Sequence, residues 1–165
     1  MPQLIHLTDE RLLKRIAKAG IRRTKWGQNV RCVYATPVLT NFQVSHQWLR
    51  ELKSRGIRTI GAVQFKISDD EEVFVGRYNE QPLKLTAAQA VKLFMEHASG
   101  LGLQILVLRR IEPDEITRCY VPPQLVGWRY HPDAHGKPPF CGCDYCQRGL
   151  IKSRKLREKY AAENG

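Results

Sequence analysis

Acidic residues are scarce beside the basic ones in this sequence, and no apolar run approaches the ~20 residues that a membrane-spanning helix needs. Each shortage removes a class of protein. The opening residues MPQLIHLTDERLLKRIAKAG place acids and bases where a secretory leader needs uninterrupted apolar residues, so the expectation is a cytoplasmic protein with no membrane partner. Five cysteines, an odd number and without a leader, argue against a disulfide framework. There is no internal repeat and no low-complexity linker. The phosphate-loop pattern G-x-x-x-x-G-K-[ST], the dinucleotide pattern G-x-G-x-x-G and the zinc-protease pattern H-E-x-x-H are all missing. So is the carboxylate cluster of magnesium-dependent phosphodiester hydrolysis, which leaves only His131, Asp133 and His135 to a nuclease reading. Ser45 and His46 are adjacent on an expected helix and point apart, so they are no catalytic pair.

What is present begins with size and charge. A chain of 165 residues and 19.0 kDa can bury roughly two thirds of its extended surface without covalent staples. Against 16 Asp plus Glu stand 27 Lys plus Arg, a formal charge of +11. A field of that sign concentrates polyanions and favours phosphate contacts, although dispersed charge would serve solubility alone. The charge is clustered. One group is Lys14, Arg15, Lys18, Arg22, Arg23, Lys25 and Arg31, with Trp26 among them as a base-stacking surface. The other is Arg148, Lys152, Arg154, Lys155, Arg157 and Lys159, opposed only by Glu158. Both groups point to nucleic acid, DNA or RNA, as partner.

Helices and strands alternate along the first two thirds. Thr8 or Asp9 can cap a helix with Leu12, Leu13, Ile16 and Ala17 on one face, which Gly20 ends. RCVYATPV reads as a strand stopped by Pro37. Ser45 is placed to cap a second helix over SHQWLRELKSR, with Trp48, Leu49 and Leu52 buried. TIGAVQFKI alternates as a strand covered on one side, and the acidic turn SDDEE is expected to join it to VFVGRY as a hairpin. NEQPLKL reads as a loop. Thr86 and Gln89 form a capping box for a helix buried through Ala90, Val91, Leu93 and Phe94 and ended near Gly100. LQILVLRRI is a near-continuous apolar strand, as burial on both faces requires. From about Pro122 prolines, glycines, histidines and cysteines replace this periodicity. The expected organisation is an α+β body over 1–121 and a small module over 122–165.

That module carries PFCGCDYCQRG. Thiols at Cys143 and Cys146 have the two-residue gap with which zinc knuckles aim two sulfurs at one ion, and Cys141 adds a third. Gly142 relieves so tight a turn. His135 is favoured as fourth ligand, because GKPPF is long enough to fold its imidazole back, with Cys119 and His131 as alternatives. Zinc is the natural ion for such a donor set. The expectation is a structural zinc knuckle that folds the module and aims a basic helix, SRKLREKY, at a partner. A redox pair at Cys143 and Cys146 fits less well, since it lies in a Pro/Gly-rich loop and not at a strand-to-helix junction. Cys32, within a strand, reads as a small buried hydrophobe.

The body has a second signal. His6 and Thr8 form an H-x-T, a helix follows and ends in Gly20 and Ile21, and Tyr34 stands in the next strand. Later, GLQILVLRRIEPDEI joins an apolar strand to Ile111, Pro113 and Ile116 as Ile-x-Pro-x-x-Ile. Together these pieces resemble the ADP-ribosyltransferase superfamily over roughly residues 4–117, including its DNA-directed toxin branch and its RNA 2′-phosphotransferase branch. The resemblance implies a split β-sheet with flanking helices. It also implies NAD as substrate, with His6 and Thr8 on the adenosine ribose and neighbouring phosphate, and Tyr34 beside the nicotinamide. An imidazole and a hydroxyl at alternate strand positions point to one side and can share one ribose.

One position departs from the pattern. Where that superfamily commonly has a Glu at the start of the last strand, this chain has Gln104, which can hydrogen-bond a ribose but brings no charge to an oxocarbenium-like cation. Glu80 is the candidate for a substitute carboxylate. In the phosphotransferase branch a missing Glu matters less, and Arg77, Arg109 and Arg110 are available to a phosphate. Two functions from different classes follow. One is an NAD-dependent ADP-ribosyltransferase-like enzyme acting on nucleic acid, as a toxin or defence factor. The other is a non-catalytic zinc-containing DNA- or RNA-binding protein.

Overall fold

A computed structural model of the chain describes residues 1–26, 30–40, 42–77, 80–96 and 102–124. Within this α+β body one large antiparallel sheet dominates and the helices are few and short. Strand β1 (Gln3–Asp9) leads through a 3-10 turn over Glu10–Leu12 into α1 (Leu13–Ala19). Then come β2 (Thr24–Trp26), β3 (Val30–Pro37), α2 (Phe42–Ser45) and α3 (Leu49–Ser54). They are followed by β4 (Ile60–Lys66), β5 (Glu72–Arg77), β6 (Leu83–Thr86), α4 (Ala87–Glu96), β7 (Leu103–Val107) and β8 (Ile116–Tyr120).

The strands lie in the order β6-β5-β7-β3-β1-β4-β8, with β2 also on β3. The centre of this order is its narrowest join. β3 holds β7 on one side through Val33↔Val107, Tyr34↔Leu106 and Ala35↔Ile105. On its other side β1 pairs only at Leu4↔Pro37 and Ile5↔Thr36. Beyond Ile5, β1 stays with β4 alone, from Gln3↔Lys66 to Asp9↔Ile60. The β1-β4-β8 half therefore leaves β3 at His6.

Packing follows the two-residue period of the strands. Val33, Ala35, Val73, Val75, Ile105 and Val107 form one continuous apolar face, covered by Ala90 and Phe94 of α4, and the same core continues to Val63 and Phe65 of β4 and Ile16 of α1. Every residue of β7 is buried, as its near-continuous apolar sequence, interrupted only by Gln104, anticipates for a central strand. The capping box of α4 is present, with Thr86 N donating to Gln89 Oε1 (3.0 Å) and Gln89 N to Thr86 Oγ1 (3.3 Å). Gly20 ends α1 at φ 75°. Directly after it, Ile21 and Ile111 exchange two main-chain hydrogen bonds (2.9 and 3.0 Å). Gly20-Ile21 and the Ile-x-Pro-x-x-Ile segment, far apart in sequence, meet at this bridge.

Four expectations are corrected. TIGAVQFKI and VFVGRY make no hairpin, because β4 pairs with β1 and β8 whereas β5 pairs with β6 and β7. The acidic stretch between them crosses from one half of the sheet to the other. Its Glu71 and Asp69 carbonyls accept the first amides of α4, Ala87 N (2.8 Å) and Ala88 N (3.0 Å). LKLT, read as loop, is edge strand β6, whose ladder to β5 a short polar segment does not announce. Ser45 closes α2 instead of opening a helix, and its hydroxyl bridges Leu39 N (2.8 Å) and Leu39 O (3.2 Å). β4 is covered on both faces only at its start, since Ala62 is as buried as Val63 and Phe65 whereas Gln64 is half-buried and Lys66 exposed. Strands β2 and β8 and helix α2 had no readable signal. Each is four residues or fewer or, like ITRCY, mixes polar and apolar positions without alternation.

Candidate functional site

At the point where β1 leaves β3, a side chain replaces the ladder. His6 Nδ1 lies 2.8 Å from the Tyr34 carbonyl oxygen. A carbonyl only accepts, so Nδ1 carries the proton and Nε2 is left as the acceptor end. The imidazole is half-buried, and burial holds its pKa below the ordinary value of 6.5 although the Tyr34 carbonyl opposes this. The ring is therefore neutral at pH 7. Nothing among the described residues bonds Nε2.

Thr8 follows on the same face of β1, opposite Gly61, and is 9% exposed. Of the two cap candidates it is Asp9 that accepts Arg11 N (2.9 Å), which leaves the Thr8 hydroxyl with no hydrogen-bond partner among the described residues. Tyr34 is half-buried, and its hydroxyl stands 3.5 Å from the Lys25 carbonyl of β2, at the limit of hydrogen-bond reach. Cys32, two residues before it and fully buried, has its thiol pushed up to about 11 by burial, with a smaller opposing bond from Tyr34. It behaves as the apolar filler expected of it.

Gln104 is the second residue of β7, on the face opposite Ile105 and Val107 that Tyr34 also occupies. It is 7% exposed, and no hydrogen bond reaches its carboxamide among the described residues. Its cross-strand neighbour is Gly76, where a Cβ would come within 2.9 Å of Pro82 Cα. The segment from Glu80 to Pro82 therefore folds over the sheet beside Gln104. It is anchored by Glu80 N donating to Arg77 O (3.1 Å), and the Glu80 carboxylate is exposed with no cation beside it among the described residues. His6 thus meets the main chain of Tyr34, whose side chain lies on the other face of the sheet, and Gln104 and Glu80 share the end of the sheet one strand further on.

The three arginines available to a phosphate are sorted by the fold. Arg109 is committed to structure: its guanidinium forks onto Glu71 (2.9 and 2.7 Å) and onto Glu115 (2.6 and 2.5 Å). Arg110 pairs with Glu112 (2.8 Å) and caps the α1 carbonyl of Ala19 (2.8 Å). Arg77 is exposed and without a carboxylate partner among the described residues. The N-terminal cluster differs from Arg109 and Arg110. Lys14, Arg15, Lys18, Arg22, Arg23, Lys25 and Arg31 are all exposed, and among the described residues none reaches a carboxylate. Arg23 Nη1 donates to Leu108 O (3.2 Å), and Lys25 lies directly opposite Arg31 in the β2-β3 ladder. The Trp26 side chain lies outside what the structure describes.

Sequence reasoning missed one partly buried polar cluster. Tyr120 of β8 presents its hydroxyl to His46 Nε2 (3.2 Å) and receives Gln64 Nε2 (3.3 Å), with the Arg118 guanidinium 4.4 Å over its ring. Three segments distant in sequence contribute to it, so no local spacing could reveal it. Cys119, the alternative zinc ligand, packs against the core and has its thiol raised by burial. The favoured ligands His135, Cys141, Cys143 and Cys146, the alternative His131, and the basic residues Arg148, Lys152, Arg154 and Lys155 lie outside the described residues. Comparison of the chain with protein-family models, curated proteins and solved structures returns no match.

Proposed function

We propose that this chain is an NAD-binding, ADP-ribosyltransferase-like protein that acts on nucleic acid. The observation that carries the reading is the break between β1 and β3, bridged by His6 Nδ1–H on the Tyr34 carbonyl. It lies at the H-x-T and Tyr positions of the resemblance, and the divergence of the two sheet halves is the kind of split the resemblance implies. A neutral imidazole with Nε2 as acceptor and an unengaged Thr8 hydroxyl suit a ribose, which offers hydroxyl donors and acceptors. Tyr34 then flanks the nicotinamide. Gln104 hydrogen-bonds the second ribose, and Glu80 supplies the negative charge that an oxocarbenium-like cation needs as nicotinamide departs. Cys141, Cys143, Cys146 and His135 hold a structural zinc, and the tail cations grip the polyanion.

The test is incubation of zinc-loaded protein with isotopically labelled NAD, with and without mixed DNA and RNA. Free nicotinamide and label on each macromolecule are followed. Transfer to nucleic acid is the expected result, with NAD binding lost in His6→Ala. A protein that grips nucleic acid yet shows no NAD binding refutes the reading.

One observation favours the second function, a binding protein without chemistry. Gln104 is uncharged, and loss of charge stabilisation in a dry site costs about 3 kcal/mol of barrier. NAD binding without turnover marks a silenced site in which Gln104→Glu restores measurable release of nicotinamide, whereas nucleic-acid binding with no NAD binding at all is the outcome of the second function.

A further inference from the structure

The basic residues of the body are unevenly committed. Arg11, Arg50, Lys84, Lys92, Arg109 and Arg110 each sit beside a carboxylate. Between residues 14 and 31 seven cations have none among the described residues, and all seven are exposed. Two of them are set against one another. Lys25 and Arg31 are direct register partners in an antiparallel ladder, where side chains stand about 5 Å apart and like charges repel. A cross-strand pair of cations is an unfavourable local choice that a bound polyanion would reverse.

The same hairpin is joined to the candidate site. Tyr34, on β3, gives its carbonyl to His6 and reaches the Lys25 carbonyl of β2 with its hydroxyl. Arg23, just before β2, is fixed to the Leu108 carbonyl just past the end of β7. The cations therefore stand on elements hydrogen-bonded to the strands that carry Tyr34 and Gln104, with Lys25 and Arg31 on the face of Val33 and Ala35, to which His6 of β1 also belongs, and opposite the Tyr34 and Gln104 side chains.

We infer that the β2-β3 hairpin, with Arg22, Arg23, Lys25 and Arg31, is a dock for the phosphate backbone of a nucleic-acid strand, and that the strand held there is the acceptor presented to the His6–Tyr34 site. The acceptor role rests on the function proposed above; the dock does not. Recognition through phosphates is sequence-tolerant and weakens with salt.

The experiment uses the full zinc-loaded chain and labelled single strands of DNA and RNA about 20 nucleotides long, with matching duplexes, read by fluorescence anisotropy from about 50 to about 300 mM KCl. The double variant Lys25→Glu/Arg31→Glu is compared with Arg55→Glu/Lys66→Glu, an equal change of net charge at exposed positions elsewhere. The dock requires a loss of at least about tenfold at about 100 mM KCl in the first variant and less than about threefold in the second. The slope of log affinity against log salt should also become shallower by about 1.5, as expected for two lost phosphate contacts. Equal losses in both variants, or unchanged affinity in the first, overturn it. A thermal melt on each variant identifies misfolding, and in that event Lys25→Gln/Arg31→Gln decides by the same criteria with half the charge change. NAD binding, measured in parallel by equilibrium dialysis, separates the two claims. Hairpin-dependent nucleic-acid binding without NAD binding overturns the acceptor role and leaves the dock standing, and NAD binding with hairpin-independent nucleic-acid binding overturns the dock.

Discussion

Gly20 has φ 75° and ψ 179°, a region essentially closed to residues with a Cβ, and a Cβ there would overlap the Ile111 carbonyl oxygen. Strain and overlap act together, so Gly20→Ala is expected to lower stability by about 3 kcal/mol, measured as the urea midpoint at constant slope. Gly56→Ala is the contrast. Its φ of 91° carries strain, but no atom stands within contact distance, and about 1 kcal/mol is expected. His6 gives a second prediction at this scale. Its folded-state pKa lies below the unfolded value of 6.5, so the stability linked to its neutral form is fully present above that pH. That stability is lost as pH falls through the lower folded value. The unfolding midpoint should decline as pH is lowered from about 7 towards about 5, and His6→Gln should flatten the decline. If NAD binds as proposed, its affinity should fall over the same window, because protonation turns Nε2 from acceptor to donor.

Between elements, the Arg109 fork ties the end of β7 to the residue before β5 and to the one before β8. Both carboxylates hold the guanidinium pKa up, and in return the Glu115 carboxyl is held below its ordinary range. Arg109→Met leaves Glu71 and Glu115 near each other without a cation. The guanidinium is 42% exposed, so screening reduces the effect, and a loss of about 1 to 2 kcal/mol is expected in urea unfolding at neutral pH. The β2-β3 hairpin predicts the opposite sign. Lys25→Glu turns a like-charge pair into a Glu–Arg pair and should raise the stability of the free protein by about 0.5 kcal/mol, read by calorimetry at low salt. Element types were legible wherever apolar spacing was strong, as in α1, α4, β3 and β7. They were illegible where a few residues owe their state to a partner strand, as in β6. The β4-β5 hairpin failed for a related reason: a turn-like acidic segment between two strands is equally a crossing, and only pairing with β1 decides which.

For the chain as a whole, the +11 charge and the Cys/His module make predictions that do not depend on the sheet. On the zinc-knuckle proposal, purified protein should carry about one zinc per chain by elemental analysis, lost in Cys143→Ser, because three thiolates and an imidazole would close one tetrahedron. The body should keep its circular-dichroism signal after chelation, since the core from Leu4 to Ile116 is built within Met1–Pro122.

The α+β class, the caps of α4, the Gly20 stop, the buried β7 and the clustering of cations follow from the sequence alone, because each depends on local period, backbone freedom or composition. Only the tertiary structure decided that β1 leaves β3 at His6, that the imidazole fills the vacated ladder position on Tyr34, and that Asp9 frees Thr8 from capping. It also decided that Arg109 is structural while Lys25 and Arg31 face each other across a ladder. The physical reason is common to all of these. Strand partners and ion-pair partners are chosen by contacts between segments distant in sequence, and such contacts leave no periodic trace in either segment.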